Sequence, residues 1–203
     1  MADALATPSY PIALNISRPT SPSRFWAIPI VGICVKALIL IPHFIVLYVL
    51  LLILGLAHVV IWIPVLFTGK YPSWGFSLTA GLIRWVVRLY MYLYGLSDEY
   101  PKFSFQAPGD IEIAQPESSS RFFAIPIIGY LVKIIILIPH LVVLYVLNLV
   151  LGLCQLVIWI PVLFTGEYPD WAFGLVKGFT LWSARVYSYL FGLTDAYPPF
   201  SFS

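Results

Sequence analysis

The chain has 203 residues, 61% of them hydrophobic and 10% charged, with a net charge of +2. Ordinary soluble domains carry roughly 25% charged residues, so the composition excludes a typical water-soluble globule, and so small a net charge gives no reason to expect nucleic acid as a partner. The two cysteines, Cys34 and Cys154, occupy non-equivalent places in apolar runs, which excludes a disulfide scaffold and reads as free, buried thiols.

Residues 1–23 are polar and rich in Pro and Ser, with no apolar h-region, so the first apolar run is expected to direct insertion itself. From Arg24 onward the chain is one unit written twice. Arg24–Phe105 aligns without a gap on Arg121–Phe202 at an offset of 97 residues, with 52 of 82 positions identical. The organisation read from this is a polar N-terminal tail with a short strand (1–23), a first membrane repeat (24–105), a polar linker (106–120) and a second membrane repeat (121–203).

Each repeat holds three apolar pieces. The first, Phe25–Ile41, carries Lys36 near its end, matched by Lys133, and suits an interfacial or re-entrant helix whose lysine snorkels to the headgroups. The second, Pro42–Phe67, is the clearest span: 26 residues rise about 39 Å, enough for a core of about 30 Å. Thr68-Gly69-Lys70-Tyr71-Pro72 then stops and restarts the helix, which predicts that the second and third pieces are antiparallel neighbours. The third, Trp74–Gly95, gathers Ser77, Gly81, Arg84, Arg88 and Gly95 on a narrow stripe, the pattern of a span facing a bundle interior. Alternatively the first two pieces form a hairpin bent at Ile41-Pro42 and the third lies on the surface. Both versions give two crossings per repeat. The expected fold is therefore an all-α integral membrane protein with two tandem repeats, about four transmembrane helices and additional interfacial helices. An even count per repeat predicts copies of one orientation, related by an axis along the membrane normal. Alternating residues on either side of Pro108-Gly109-Asp110 predict short strands: 103–105 with 111–113, and by symmetry 200–202 with the N-terminal strand.

The chemistry-bearing residues are few. His43 and His140 are equivalent and open the second piece of each copy. They suit a ligand or proton relay less well than a helix-terminal histidine bonded to a carbonyl or headgroup, since no carboxylate or Cys lies nearby in sequence. His58 stands where the other copy has Gln155, which points to hydrogen bonding. Arg88 and Arg185 form a repeated intramembrane pair, with Arg84 replaced by Leu181 in copy two, and a guanidinium at membrane depth needs a partner. Asp98 and Asp195 follow ten residues later, out of reach along a helix unless the tail folds back or the copies pair across. Together with Lys36 and Lys133 they are the candidate interfacial charges. Trp and Tyr at the helix ends read as an aromatic belt. Neither a phosphate-binding glycine loop nor metal-ligand spacing nor a triad is legible, so no cofactor and no catalysis are expected.

The pattern SR…IPH…FTGxYP…R…Y…L.D.YP.F, present twice, resembles the bacterial membrane-protein family of domain of unknown function 4389. The matching residues are Ile41-Pro42-His43 and Ile138-Pro139-His140, Phe67–Pro72 and Phe164–Pro169, and Asp98–Phe103 and Asp195–Phe200. The resemblance implies a bacterial membrane location and brings no assigned activity. The expected role is that of a structural, accessory or membrane-organising component, with the lipid bilayer and membrane proteins as partners. A small transporter, channel or headgroup binder using the arginine stripe is the alternative, and a redox subunit using the paired histidines a more remote one. Arg18, Arg24, Lys102 and Arg121 on the terminus-and-linker side, against Lys70 in the turns, predict cytoplasmic termini at the inner membrane.

Overall fold

The structure, a computed structural model, describes residues 10–28, 30–106 and 111–202. Its elements in chain order are β1 (Ile12–Leu14), α1 (Val31–Ile39), α2 (Ile41–Thr68), α3 (Ser73–Leu93), β2 (Ile111–Ile113), α4 (Ile128–Thr165) and α5 (Asp170–Leu190). In copy two the first and second apolar pieces are one continuous 38-residue helix, α4, in spite of Pro139 and Pro161. In copy one the break between α1 and α2 is a single residue, Leu40, itself in helical conformation and bonded on both sides, Leu40 N–H to Lys36 O and Phe44 N–H to Leu40 O. The proposed hairpin at Ile41-Pro42 is thus corrected: the chain does not reverse there. Pro42 removes one donor, and the flanking bonds carry the rod through.

The repeated FTGxYP motif is a helix stop. Gly69 and Gly166 take the left-handed conformation (φ 71° and 74°) at the C-caps of α2 and α4, where a Cβ would be strained. Thr68 Oγ1 donates to Pro64 O and Thr165 Oγ1 to Pro161 O, both at 2.6 Å. The next backbone N–H, of Lys70 or Glu167, then returns to the threonine oxygen. A second repeated device lies at the other end of the rods. Ile30 and Ile127, their N-caps, have φ of 60° and 64°. Ile127 sits at the centre of a γ-turn closed by Ile128 N–H to Pro126 O at 2.7 Å, a strained geometry for a β-branched residue.

α3 runs back along the α1–α2 rod, and α5 along α4. Leu40, Leu47 and Leu54 pack against Leu82, Trp85, Leu89 and Tyr92. α3 and α5 pack on each other, Tyr90 against Phe179 and Tyr94 against Phe179. Since residue 179 is the equivalent of residue 82, these two helices are antiparallel, and so are the rods they follow. The helices of the two repeats therefore run in opposite directions. A pseudo-two-fold axis perpendicular to the helices relates them.

β1 and β2 form an antiparallel ribbon pairing Ile12 with Ile113, Ala13 with Glu112 and Leu14 with Ile111. Leu14 and Ile111 are equivalent residues, so the axis passes through the ribbon. The expected pairing of 103–105 with 111–113 is corrected: each copy contributes its leading strand, and the trailing segments 103–105 and 200–202 go elsewhere. The Pro-Gly-Asp turn lies outside the described residues. Among the described residues the ribbon touches α3 and α5 and neither rod, whereas α2 meets α3 and α4 meets α5. Three layers result, in the order rods, central α3–α5 pair and ribbon, with the trailing segments passing from the rods, where Phe103 and Phe200 stack on His43 and His140, to the glycines of α3 and α5.

Candidate functional site

The repeated charged and aromatic residues converge at two equivalent junctions. In copy one Lys36, 3% exposed, donates from Nζ to Tyr92 O at 2.9 Å and lies 3.7 Å from Asp98 Oδ1. Its ammonium sits over the rings of Trp26 (5.5 Å) and Tyr92 (4.8 Å). In copy two Lys133 donates to Tyr189 O at 2.9 Å and to Asp195 Oδ1 at 3.4 Å, over Phe123 (4.9 Å) and Tyr189 (4.8 Å). The other carboxylate oxygen accepts a backbone N–H from the leading segment, Ser23 to Asp98 and Ser120 to Asp195. Neither lysine snorkels: a buried ammonium needs acceptors, and the carbonyl, carboxylate and ring faces supply them. The tail does fold back, so each aspartate pairs within its own copy, and with lysine rather than arginine.

The opposite copy closes each junction. Tyr168 donates its hydroxyl to Tyr94 O at 2.8 Å, and Gln155 Nε2 reaches the same carbonyl at 3.5 Å. Reciprocally, Tyr71 donates to Phe191 O at 3.2 Å, and His58 Nε2 lies 3.3 Å from it. Tyr94 and Phe191 are the C-caps of α3 and α5, so two otherwise orphaned helix-end carbonyls are satisfied across the repeat boundary. His58 and Gln155 thus share the hydrogen-bonding role read from their equivalence. Burial pushes the Tyr71 phenol up to about 12 and raises Tyr168 further, so both are donors at any physiological pH. The junction holding Lys36 and Asp98 keeps a cavity of about 160 Å³, lined by Trp26, Gln155, Trp159 and Tyr168 among others. Its counterpart holding Lys133 and Asp195 is nearly filled, at about 30 Å³.

The histidines lie at a third repeated cluster. His43 and His140 are fully buried, and each accepts at Nδ1 from an indole, Trp85 Nε1 or Trp182 Nε1, at 2.9 Å. Each imidazole stacks at 3.8 Å on a phenyl ring of the trailing segment, Phe103 or Phe200. The expected carbonyl or headgroup partner is replaced by an indole. Acceptance at Nδ1 fixes the neutral ring with its proton on Nε2. Among the described residues no group of three His, Cys, Asp or Glu comes together to hold a metal.

The arginine stripe faces the chain's own trailing segment and ribbon, not a bundle interior. Arg88 donates to Ser104 O, Arg185 lies 5.2 Å from the Tyr10 ring, and Arg84 is half-buried. At Gly81 and Gly178 the trailing phenylalanines come so close that a Cβ would meet Phe105 Cβ at 2.6 Å and Phe202 Cβ at 2.5 Å. Sequence reasoning missed Trp85, Trp182, Tyr71, Tyr168, Phe103 and Phe200 as the partners that matter. Their identity in both copies was the available signal. Trp85 and Trp182 are buried rather than interfacial, while Trp74 and Trp171 are exposed. Cys34 is exposed too, against expectation, and both cysteines are free.

Fold and site together define a pseudo-symmetric helical protein built from two tandem copies, with two helices, α2 and α4, long and apolar enough to cross a membrane. The chain belongs to the DUF4389 family, a domain of unknown function, whose model matches residues 31–104 and again residues 128–201. No curated protein and no solved structure matches it.

Proposed function

We propose that this protein is a structural, membrane-organising component without catalysis of its own, embedded by its two rods. The observation that carries the reading is the exposure of the rods. Their most apolar stretches have mean hydropathies of 2.9 and 2.7, yet 22% of the residues in each stretch are buried. An apolar surface that large in water would drive association, and hydrocarbon is the environment that suits it. The repeated polar groups support the same view. Each lysine, aspartate and histidine described above is spent on holding segments together, which suits a scaffold better than a reaction centre. Four crossings would also require α3 and α5 to span, and these carry Arg84, Arg88 and Arg185 beneath the chain's own trailing segments. Two lipid-facing rods fit the geometry better. A transport path along the arginines is disfavoured because Phe105 and Phe202 fill the stripe.

The bacterial inner membrane, with termini on the cytoplasmic side, is the location we infer from the basic flanks. Retention in the membrane pellet after alkaline carbonate extraction is the expected result, and release into the supernatant would remove the reading. Purified protein in liposomes should pass no small ions. A flux dependent on Arg88 and Arg185 would replace this proposal with the transporter alternative.

A further inference from the structure

The rods are too long to be simple crossings. α4 has 38 residues, a contour of about 57 Å at 1.5 Å per residue, against a hydrocarbon core of about 30 Å. One face of the rod exposes large apolar side chains along its whole length, from Ile127 at 69% to Phe164 at 72%. The α1–α2 rod repeats this from Ile30 at 69% to Phe67 at 74%. Fitting 57 Å into 30 Å needs a tilt of about 60°, beyond the 0–40° that spanning helices adopt.

The layer order excludes an upright pose more strongly. The pseudo-two-fold axis is perpendicular to the helices and passes through the ribbon, so the ribbon sits halfway along them, on the far side of α3 and α5 from the rods. Were the helices upright, the ribbon would stand at the bilayer midplane facing lipid. It carries exposed Glu112 and Asn15, bonded to each other at 3.4 Å across the axis. It is also two-stranded, with an unpaired edge on each side, and hydrocarbon does not tolerate open strand edges or an exposed carboxylate at that depth.

Resting on the membrane reading above, we infer that the protein lies flat in a single leaflet, its axis along the membrane normal. Its rods are immersed in the acyl chains, α3 and α5 lie at the headgroup boundary, and the ribbon faces water. The apolar side of the layer then has one occupant, the acyl region of one leaflet. The ribbon side, with Glu112 and Asn15 exposed, stays hydrated. Antiparallel copies become the natural solution, because a two-fold axis along the normal lets both present the same face to the same leaflet. Such a body expands one leaflet and leaves the other untouched, which ties it to membrane organisation through leaflet asymmetry.

The test is polarised infrared dichroism of the full chain in oriented phosphatidylcholine bilayers, after flotation with vesicles of the same lipid. Since all the long helices run roughly parallel or antiparallel, one mean tilt describes them. Flotation with a tilt close to the membrane plane is expected. Flotation with a tilt below about 40° from the normal overturns the flat pose and leaves the membrane reading intact. Failure to float removes both. In a C34S/C154S background, a fluorophore on Glu112→Cys should be quenched by aqueous iodide, and one on Leu56→Cys by doxyl groups on the acyl chains. A Glu112→Cys probe shielded from iodide, whether by lipid or by a second copy capping the ribbon, also overturns the inference.

Discussion

At Lys36 and Lys133 a buried amine is held beside a partly exposed carboxylate. The energetics of such groups are set less by the attraction gained than by the penalty when a partner is removed. Asp98→Asn should therefore lower stability by about 3 kcal/mol, whereas adding Lys36→Met to it should recover most of the loss. Thermal melting in detergent of the two singles and the double measures this, and a double no better than the singles would show that the pair is not coupled. The isoleucines at positive φ, Ile30 and Ile127, make an opposite case. A β-branched residue at positive φ costs of order 1–3 kcal/mol, and glycine returns part of that through greater unfolded-chain freedom. Ile30→Gly and Ile127→Gly should each raise detergent stability by about 1 kcal/mol while weakening retention on liposomes, because both side chains are 69% exposed apolar anchors. A lower melting temperature in either variant would mean the turn is not strained.

Among the elements, the trailing segments 96–106 and 193–202 are the least helical parts and the most instructive. Each runs back over α3 or α5, stacks a phenylalanine on a buried histidine and seats a second over a helix glycine. Gly81→Ala or Gly178→Ala puts a methyl group about 2.5 Å from the phenylalanine Cβ, so the trailing segment must move away. The expected outcome is release of the segment, read as new protease cleavage between residues 96 and 106 for Gly81→Ala. An unchanged digest would place the segment's stability elsewhere. Arg88→Lys tests the same seam: it keeps the charge but loses the planar fork that reaches Ser104 O. It should give a partial version of the same cleavage, and Arg88→Leu the full one.

Over the whole molecule, the copies are interlocked through reciprocal tyrosines, helix-end carbonyls and the ribbon rather than joined by the linker alone. The backbone O of Gly69 accepts from Ser119 N–H at 2.8 Å, and Arg18 pairs with Asp170 on the other side, so each copy's leading segment reaches the other's turn. Cutting the chain between Gln106 and Ile111 should therefore leave two fragments that co-elute as one particle. Adding Tyr71→Phe and Tyr168→Phe should weaken that association by about 1 kcal/mol per hydroxyl. Fragments that separate without those substitutions would show that the linker, not the interface, holds the copies together.

The residues alone determined the repeat, the helix stops and the apolar second piece of each copy, because each rests on local chemistry: gapless identity between copies, a glycine and proline after a threonine, and hydropathy sustained over many turns. That the first piece continues straight into it as one rod was decided by the flanking backbone bonds. The residues also marked Lys36, Asp98, His43, Arg88 and their counterparts as worth placing. What they did not reveal was which of these meet. The pairing of Lys36 with Asp98 depends on a tail that reverses over α3, and the His43 acceptor depends on the depth at which Trp85 enters from a neighbouring helix. The direction of the second copy was likewise decided in three dimensions. A gapless repeat is compatible with either hand of stacking, and the choice fell to the ribbon and the antiparallel α3–α5 contact, which lets each copy satisfy the helix ends of the other.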